Sequence, residues 1–236
     1  MVFDVYKTLI DIKTDESDPS AYEALSGWLA SKGVSVRPGG LRQSYKKFTK
    51  LAVCANKKPY PDIDIGEVFR KILRKCGSAR VTAGLIQETA LMFRIVTTKE
   101  FALRPGVEQL LKKLHRQARL AVICNGQRLF TVPELERLGV AGYFDYLLFS
   151  SDARACKPNP EIFKKALKDM GINPRDAVYI GDDLVNDVAG AKKAGMRAIW
   201  VDNAEKVISG TNVVPDAIVR KGCYAEIPEI AAALLG

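Results

Sequence analysis

The stretch AVYIGDDLVNDVAGAKKAGMRAIWVD, residues 177–202, decides the fold. It opens on the apolar run AVYIG (177–181), the pattern of a strand buried on both faces, and closes on a second such run, RAIWVD (197–202). Between them DVAGAKKAGM (187–196) has helical spacing. Strand, helix and strand in this short compass form a βαβ unit, which makes the two strands parallel and the crossover right-handed. The join GDDLVND places Asp182, Asp183 and Asp187 at the C-terminal end of the first strand, where a parallel sheet opens into a crevice.

Working outward, the alternation repeats. RLAVICN (119–125) and DYLLFSS (145–151) read as strands, GVEQLLKKLHRQ (106–117) and NPEIFKKALKDMG (159–171) as helices, and DAIV (216–219) as an edge strand. The short apolar start before Asp4 completes an α/β fold with a doubly wound parallel sheet. Its early strands each end on polar residues: Asp4, Asn125, the Lys157 region and the acidic run 182–187. In a parallel sheet such ends lie side by side, so these sequence-distant groups are expected to converge.

Residues 16–101 carry a different pattern. AYEALSGWLASKG (21–33), LRQSYKKFTKLAV (41–53), IGEVFRKILRKCG (65–77) and GLIQETALMFRIV (84–96) read as helices, with the loop NKKPYPDID (56–64) among them. The expected organisation is a core of residues 1–15 and 102–236 interrupted by an all-helical domain, 16–101. The net charge of +9 is concentrated in that insertion, because residues 31–100 hold 15 Lys or Arg against 5 Asp or Glu. That charge is either a set of solvated helical faces or a field that draws in a small anionic substrate. Aromatic residues do not interleave with the basic ones in a stacking pattern, so no nucleic acid is expected as a partner. Apolar content of 47% without a membrane-length apolar run predicts a globular chain with no membrane partner. Five cysteines without C-x-x-C spacing argue against a disulfide framework or a zinc site, and a reducing cytoplasm is the expected location. The single histidine, His115, lies in the polar stretch LKKLHRQ, so the chemistry falls to carboxylates, Lys or Tyr.

FDVYKTLID (3–11), taken with those strand ends, resembles the haloacid dehalogenase superfamily. Asp4, Thr8 and Leu9 match its first motif, a nucleophilic Asp two residues before a second Asp and then Gly-Thr-Leu. Cys124 in VICNG stands where the second motif has Ser or Thr, with the backbone N–H groups of Asn125 and Gly126 able to hold an anion. Lys157 in CKPNPEIF matches the third motif, and Asp182, Asp183 and Asp187 in IGDDLVND match the acidic fourth. The resemblance implies a Rossmann-like core with residues 16–101 as a helical cap. It also implies Asp4 as nucleophile and Mg²⁺ held by Asp4, the backbone carbonyl of Tyr6 and the acidic pair Asp182 and Asp183. The physical chemistry agrees. A carboxylate nucleophile divides a hard hydrolysis into two steps, and Lys157 offsets the repulsion between two anions. A hard divalent cation would relieve the self-repelling acids. Plainer readings stand beside these, with Asp183 as a helix cap and Lys157 as a surface ion.

Three positions depart from the pattern. Tyr6 replaces the second Asp, and a neutral phenol is a poor acid–base group at pH 7. The 2-haloacid dehalogenases of the superfamily also carry Tyr there; their halide leaves without a proton and they use no metal. In that route Asp187 activates water, and Arg42 in LRQSY resembles the cap arginine beside the substrate carboxylate. Against it, Asp182 and Asp183 stand where those dehalogenases have Ser and Asn. Cys124 is a weaker donor than a hydroxyl, and it and Cys156 are read as buried small residues or as oxidation-sensitive ones. Lys7 replaces the usual Gly. The leading expectation is an Mg²⁺-dependent hydrolase of a small phosphorylated or phosphonate substrate. The alternatives are a metal-independent 2-haloacid dehalogenase-like enzyme and a non-catalytic relative that binds a ligand or a protein. Oligomeric state stays open, because no segment reads as a coiled coil.

Overall fold

A computed structural model describes residues 1–78, 80–203, 212–220 and 222–236. In chain order the strands are β1 (Val2–Phe3), β2 (Ile10–Thr14), β3 (Thr98–Leu103), β4 (Ala121–Cys124), β5 (Tyr146–Phe149), β6 (Val178–Gly181), β7 (Arg197–Asp202) and β8 (Ala217–Arg220). The helices are α1 (Pro19–Ser31), α2 (Pro38–Ala55), α3 (Ile65–Lys75), α4 (Ala83–Thr97), α5 (Val107–Leu114), α6 (Arg128–Arg137), α7 (Ser150–Ala153), α8 (Pro160–Met170), α9 (Gly190–Lys193) and α10 (Ile227–Leu235).

Six strands form one parallel sheet in the order β5-β4-β1-β6-β7-β8. The chain leaves β1 through β4 to β5 and returns on the other side of β1 as β6, so the reversal opens a crevice at the C-terminal end of β1. With two residues β1 is short for a central strand, yet Val2 and Phe3 are paired on both sides and almost fully buried. The Asp4 N–H continues the ladder to the Ile180 carbonyl at 2.9 Å, which ties the position of Asp4 to the sheet. Apolar side chains cover both sheet faces: Leu111, Val122, Ile180 and Ile227 belong to one cluster, Ile123, Phe163, Tyr179 and Val188 to the other.

The inserted helices α1–α4 build a separate core around Tyr22, Leu25, Phe69 and Phe93, which also takes in Phe130 from α6. Asp18, Asp64 and Thr82 each cap the helix that follows through a side-chain oxygen. The insertion is not helical to its end. Thr98–Leu103, expected within or beside the helical domain, pairs antiparallel with β2, and these two strands flank the four inserted helices in the chain. The helix ends at Thr97, and from the β-branched Thr98 onward the chain pairs with a strand more than eighty residues away. Downstream of β6 the helix begins as a π-type stretch at Leu184–Ala189, ahead of the expected start at Asp187. All five cysteines are free, and no described helix is long and apolar enough to cross a membrane.

Candidate active site

The floor of the crevice is a charged knot. Lys157, on the loop between α7 and α8, is 3% exposed and spends all three ammonium protons within the protein. Its Nζ donates to Asp4 Oδ1 and Asp187 Oδ1 at 2.6 Å each and to the Tyr179 hydroxyl at 2.8 Å. Burial alone would lower this ammonium, but Asp187 and Asp4 outweigh it and raise it well above its ordinary value. Asn125 holds the Lys157 backbone, accepting from its N–H at 2.7 Å and donating to its carbonyl at 3.1 Å. Asp187 also accepts from the Asp183 N–H at 3.0 Å. It comes so close to β6 that a Cβ on Gly181 would stand 2.4 Å from Asp187 Oδ2, so glycine is required there.

Oxygens of Asp4, Asp182 and Asp187 lie within 4.8 Å of one another. Among the described residues Lys157 is the one cation in hydrogen-bond contact with this set, and it reaches Asp4 and Asp187 but not Asp182. The Asp182 carboxylate is met by the Thr8 hydroxyl at 3.2 Å. Burial first, then the charges of Asp4 and Asp187, push Asp182 up to about 7. Burial also raises Asp187, against the opposing pull of Lys157. Three hard oxygen donors and one ammonium leave an excess of negative charge, a donor set that fits a divalent cation such as Mg²⁺. Asp183 does not join the set. Its carboxylate caps the following helix, accepting from the N–H groups of Val185 and Asn186 at 2.9 Å, the placement expected of a helix cap.

Tyr6 belongs to the wall of the crevice. Its phenol donates to Glu134 Oε2 at 2.7 Å, lies 2.7 Å from the Thr131 hydroxyl and accepts from Arg94 Nη2 at 3.3 Å. Arg94 also pairs with Glu134 through Nε at 2.5 Å, and its guanidinium covers the rings of Tyr6 and Phe130. The ring and Thr131 pack close to residue 126, which is glycine: a Cβ there would meet Thr131 Oγ1 at 2.9 Å and Tyr6 Cε2 at 3.2 Å. Burial, then the charge on Glu134, raises the phenol well above its usual value. Thr131, Glu134 and Arg94 were not visible as partners of Tyr6 in the sequence. The signal available was the Thr131–Glu134 spacing on one helical face, obscured by Pro133 inside α6.

The remaining expected residues are placed as follows. Cys124 is buried and its thiol is raised well above the usual value by burial and by Asp4, which leaves it protonated. Burial likewise pushes Cys156 up to about 11. The Gly126 N–H, expected to face an anion, is donated to Ser150 Oγ at 2.9 Å, and the Asn125 side chain serves the Lys157 backbone. Arg42 lies on α2 near Tyr22 with its Nε buried and unpartnered, and no hydrogen bond links it to Asp4, Tyr6 or Lys157 among the described residues. The loop between α2 and α3 reaches the segment that carries Lys157: the Tyr60 carbonyl accepts from the Cys156 N–H at 2.7 Å and the Pro59 carbonyl from Asn159 at 3.2 Å, on either side of Lys157.

A family model described as haloacid dehalogenase-like hydrolase matches residues 1–195. Phosphoserine phosphatase of Thermus thermophilus is 35% identical over 141 residues, 57% of this chain and 53% of that protein. Glyceraldehyde 3-phosphate phosphatase of Pyrococcus furiosus is 33% identical over 97 residues, 41% of this chain and 40% of that protein. The matches span about half the length of these curated relatives. Among solved structures, a 2-haloacid dehalogenase from Pseudomonas syringae pv. Tomato DC3000 is 28% identical with a TM-score of 0.68, covering 98% of this chain and 97% of that one.

Proposed function

The chain belongs to the haloacid dehalogenase-like hydrolase family, and on that premise we propose that it hydrolyses a small phosphorylated substrate through an aspartyl intermediate on Asp4, with Mg²⁺ as cofactor. The leaving group departs as a stable anion and needs no proton. The observation that carries this reading is the charge imbalance of the floor, three clustered carboxylates of which one ammonium contacts two, Asp4 and Asp187. Asp4, Asp182 and the Tyr6 carbonyl would hold Mg²⁺, which supplies positive charge beside the transferring phosphoryl group. Lys157 orients the Asp4 carboxylate and offsets its charge. An Asp4 oxygen attacks phosphorus, the bond from phosphorus to the leaving group breaks, and the leaving group takes the electron pair. Tyr6 gives it no proton, since its phenol is engaged by Glu134 and held neutral. Acyl, aryl and enol phosphates, and phosphonates that release an enolate, meet this requirement; simple alkyl phosphates do not. Water then opens phospho-Asp4 to release phosphate. With a phenol at residue 6 no carboxylate there takes the proton from that water, so this step is the slower and phospho-Asp4 accumulates.

The test is phosphate release from acetyl phosphate, p-nitrophenyl phosphate and alkyl phosphomonoesters, with acid-quench detection of the phosphoenzyme. Preference for the activated esters, loss in EDTA and loss in Asp182→Asn are expected. Release that persists in EDTA would overturn the reading. Tyr6 together with the likeness to a 2-haloacid dehalogenase favours a second reading, displacement of halide from a 2-haloacid by Asp4. Halide release from L-2-chloropropionate in EDTA, with no phosphate release from the panel, would put that reading in its place.

A further inference from the structure

The largest side chain among the most deeply buried described residues is charged. Arg104, directly after β3, is 2% exposed. An arginine is taken from water only where partners replace its hydration, and the partners here converge on the turn that follows the nucleophile. Arg104 Nη1 donates to the Lys7 carbonyl and to Asn203 Oδ1, and Nε pairs with Asp11 at 3.0 Å. Asn203 Nδ2 donates to the same Lys7 carbonyl at 2.9 Å. Tyr224, whose hydroxyl lies 3.5 Å from Arg104 Nη1, donates to the neighbouring Thr8 carbonyl at 2.6 Å. Three side chains from distant parts of the chain thus grip two consecutive carbonyls.

Those carbonyls belong to a strained segment. Lys7 has a φ of 65°, the left-handed region that side chains with a Cβ disfavour. The turn closes through Lys7 N–H to the Ile10 carbonyl at 2.7 Å and Leu9 N–H to the Val5 carbonyl at 2.7 Å. It carries Asp4 at one end and, through the Thr8 hydroxyl, meets Asp182 at the other. A relaxation of Lys7 towards ordinary φ would turn the peptide on either side and shift Thr8 relative to Asp4.

We propose that Arg104 is a positioning residue for catalysis: by gripping the Lys7 carbonyl, it holds Lys7 in the left-handed region and so keeps Asp4 and Thr8 in register with Asp182. The proposal rests on Asp4 as nucleophile. Lys7 is its chemical counterpart, because a glycine at that position adopts the same φ freely and makes the grip unnecessary.

The experiment is a cycle of Arg104→Met, Lys7→Gly and the double variant, with kcat and KM measured on acetyl phosphate. Arg104→Met is expected to lower kcat about 10- to 100-fold with KM changed less than about twofold, the pattern of lost transition-state alignment. In the Lys7→Gly background the same change should lower kcat less than about threefold. Millimolar guanidinium should restore Arg104→Met, whereas equal NaCl should not. Amide hydrogen exchange at Leu9 and Ile10 gives a readout without turnover: Arg104→Met should speed it at least about tenfold while β6 and β7 stay protected. Should Arg104→Met fail to fold, Arg104→Lys and Tyr224→Phe carry the same exchange and kcat readouts with smaller shifts. Equal kcat losses in both Lys7 backgrounds, or unchanged exchange at Leu9 and Ile10, would overturn the proposal. Failure of Asp4 as nucleophile would show separately, as Asp4→Asn retaining turnover while the exchange effect of Arg104→Met remained.

Discussion

The crevice has two buried charged regions that meet at Asp4 and Tyr6, and their charge is arranged in opposite ways. On the floor, oxygens of Asp4, Asp182 and Asp187 lie within 4.8 Å of one another, and among the described residues one ammonium, that of Lys157, contacts two of the three. On the wall, Glu134 faces Arg94 one to one, and the Tyr6 phenol completes the pair. The wall is balanced and asks for nothing from outside. The floor carries excess negative charge that raises the proton affinity of Asp182 and suits a divalent cation. Buried charge that is fully paired serves the fold; buried charge left over is available for binding and chemistry.

The contrast can be broken or sharpened by experiment. The largest effect is expected at the proposed nucleophile: Asp4→Asn should lower turnover of acetyl phosphate about a thousandfold or more, with the thermal midpoint kept or raised because one of three clustered charges is gone. Lys157→Met removes the floor's shared cation and leaves Asp4 and Asp187 facing each other. Urea unfolding should show a loss of about 3–5 kcal/mol, the usual result of stranding a buried charge.

The floor should also respond to metal and pH. Asp182, with an ordinary value of 3.8, is held at about 7 in the folded protein. The folded chain therefore binds more protons than the unfolded chain between those limits, and this group's contribution makes stability fall as pH rises from about 4 to about 7. Mg²⁺ requires the deprotonated carboxylates and should offset the loss. Saturating Mg²⁺ stabilises by about 2.7 kcal/mol at a hundred times its Kd, so the rise in thermal midpoint should be larger at pH 8 than at pH 5. An equal or absent rise at both values would remove the difference between floor and wall.

The wall should behave as a structural pair. Glu134→Gln should destabilise by about 1–3 kcal/mol through the weakened partner of Arg94, with turnover of acetyl phosphate within a few-fold of the unaltered chain. A larger loss of turnover would move Glu134 into the proton chemistry and erase the contrast. The smallest effect is expected from Tyr6→Phe, about 1 kcal/mol by thermal melting.

Most of the fold was legible because parallel strands and amphipathic helices write themselves in short-range periodicity. AVYIG, RAIWVD and RLAVICN are apolar on both faces, and all three lie in the sheet. TTKEF was not legible as a strand, since its pairing depends on Ile10–Thr14 at the far end of the insertion. The floor was readable from motifs at strand ends, with the exception of Asp183, whose side chain had two local outlets and took the helix cap. Arg42 matched a pattern, but its helix sets it beside Tyr22 among the inserted helices. The partners of Tyr6 were invisible, because Glu134 stands 128 residues away on a helix interrupted by a proline.

The sequence by itself determined which groups follow the C-terminal ends of the strands, since β–α alternation sets Asp4, Lys157, Asp182 and Asp187 in segments that leave the same end of a parallel sheet. Only the tertiary structure decided what those groups and their neighbours do with their charge. The Tyr6 phenol is spent on Glu134, and the Lys7 carbonyl is gripped by Arg104. Asp182 keeps an excess of negative charge around it. The physical reason is that the energy of a buried polar group is set by the few atoms within hydrogen-bond reach and by its loss of water, and both depend on residues brought together across the whole chain.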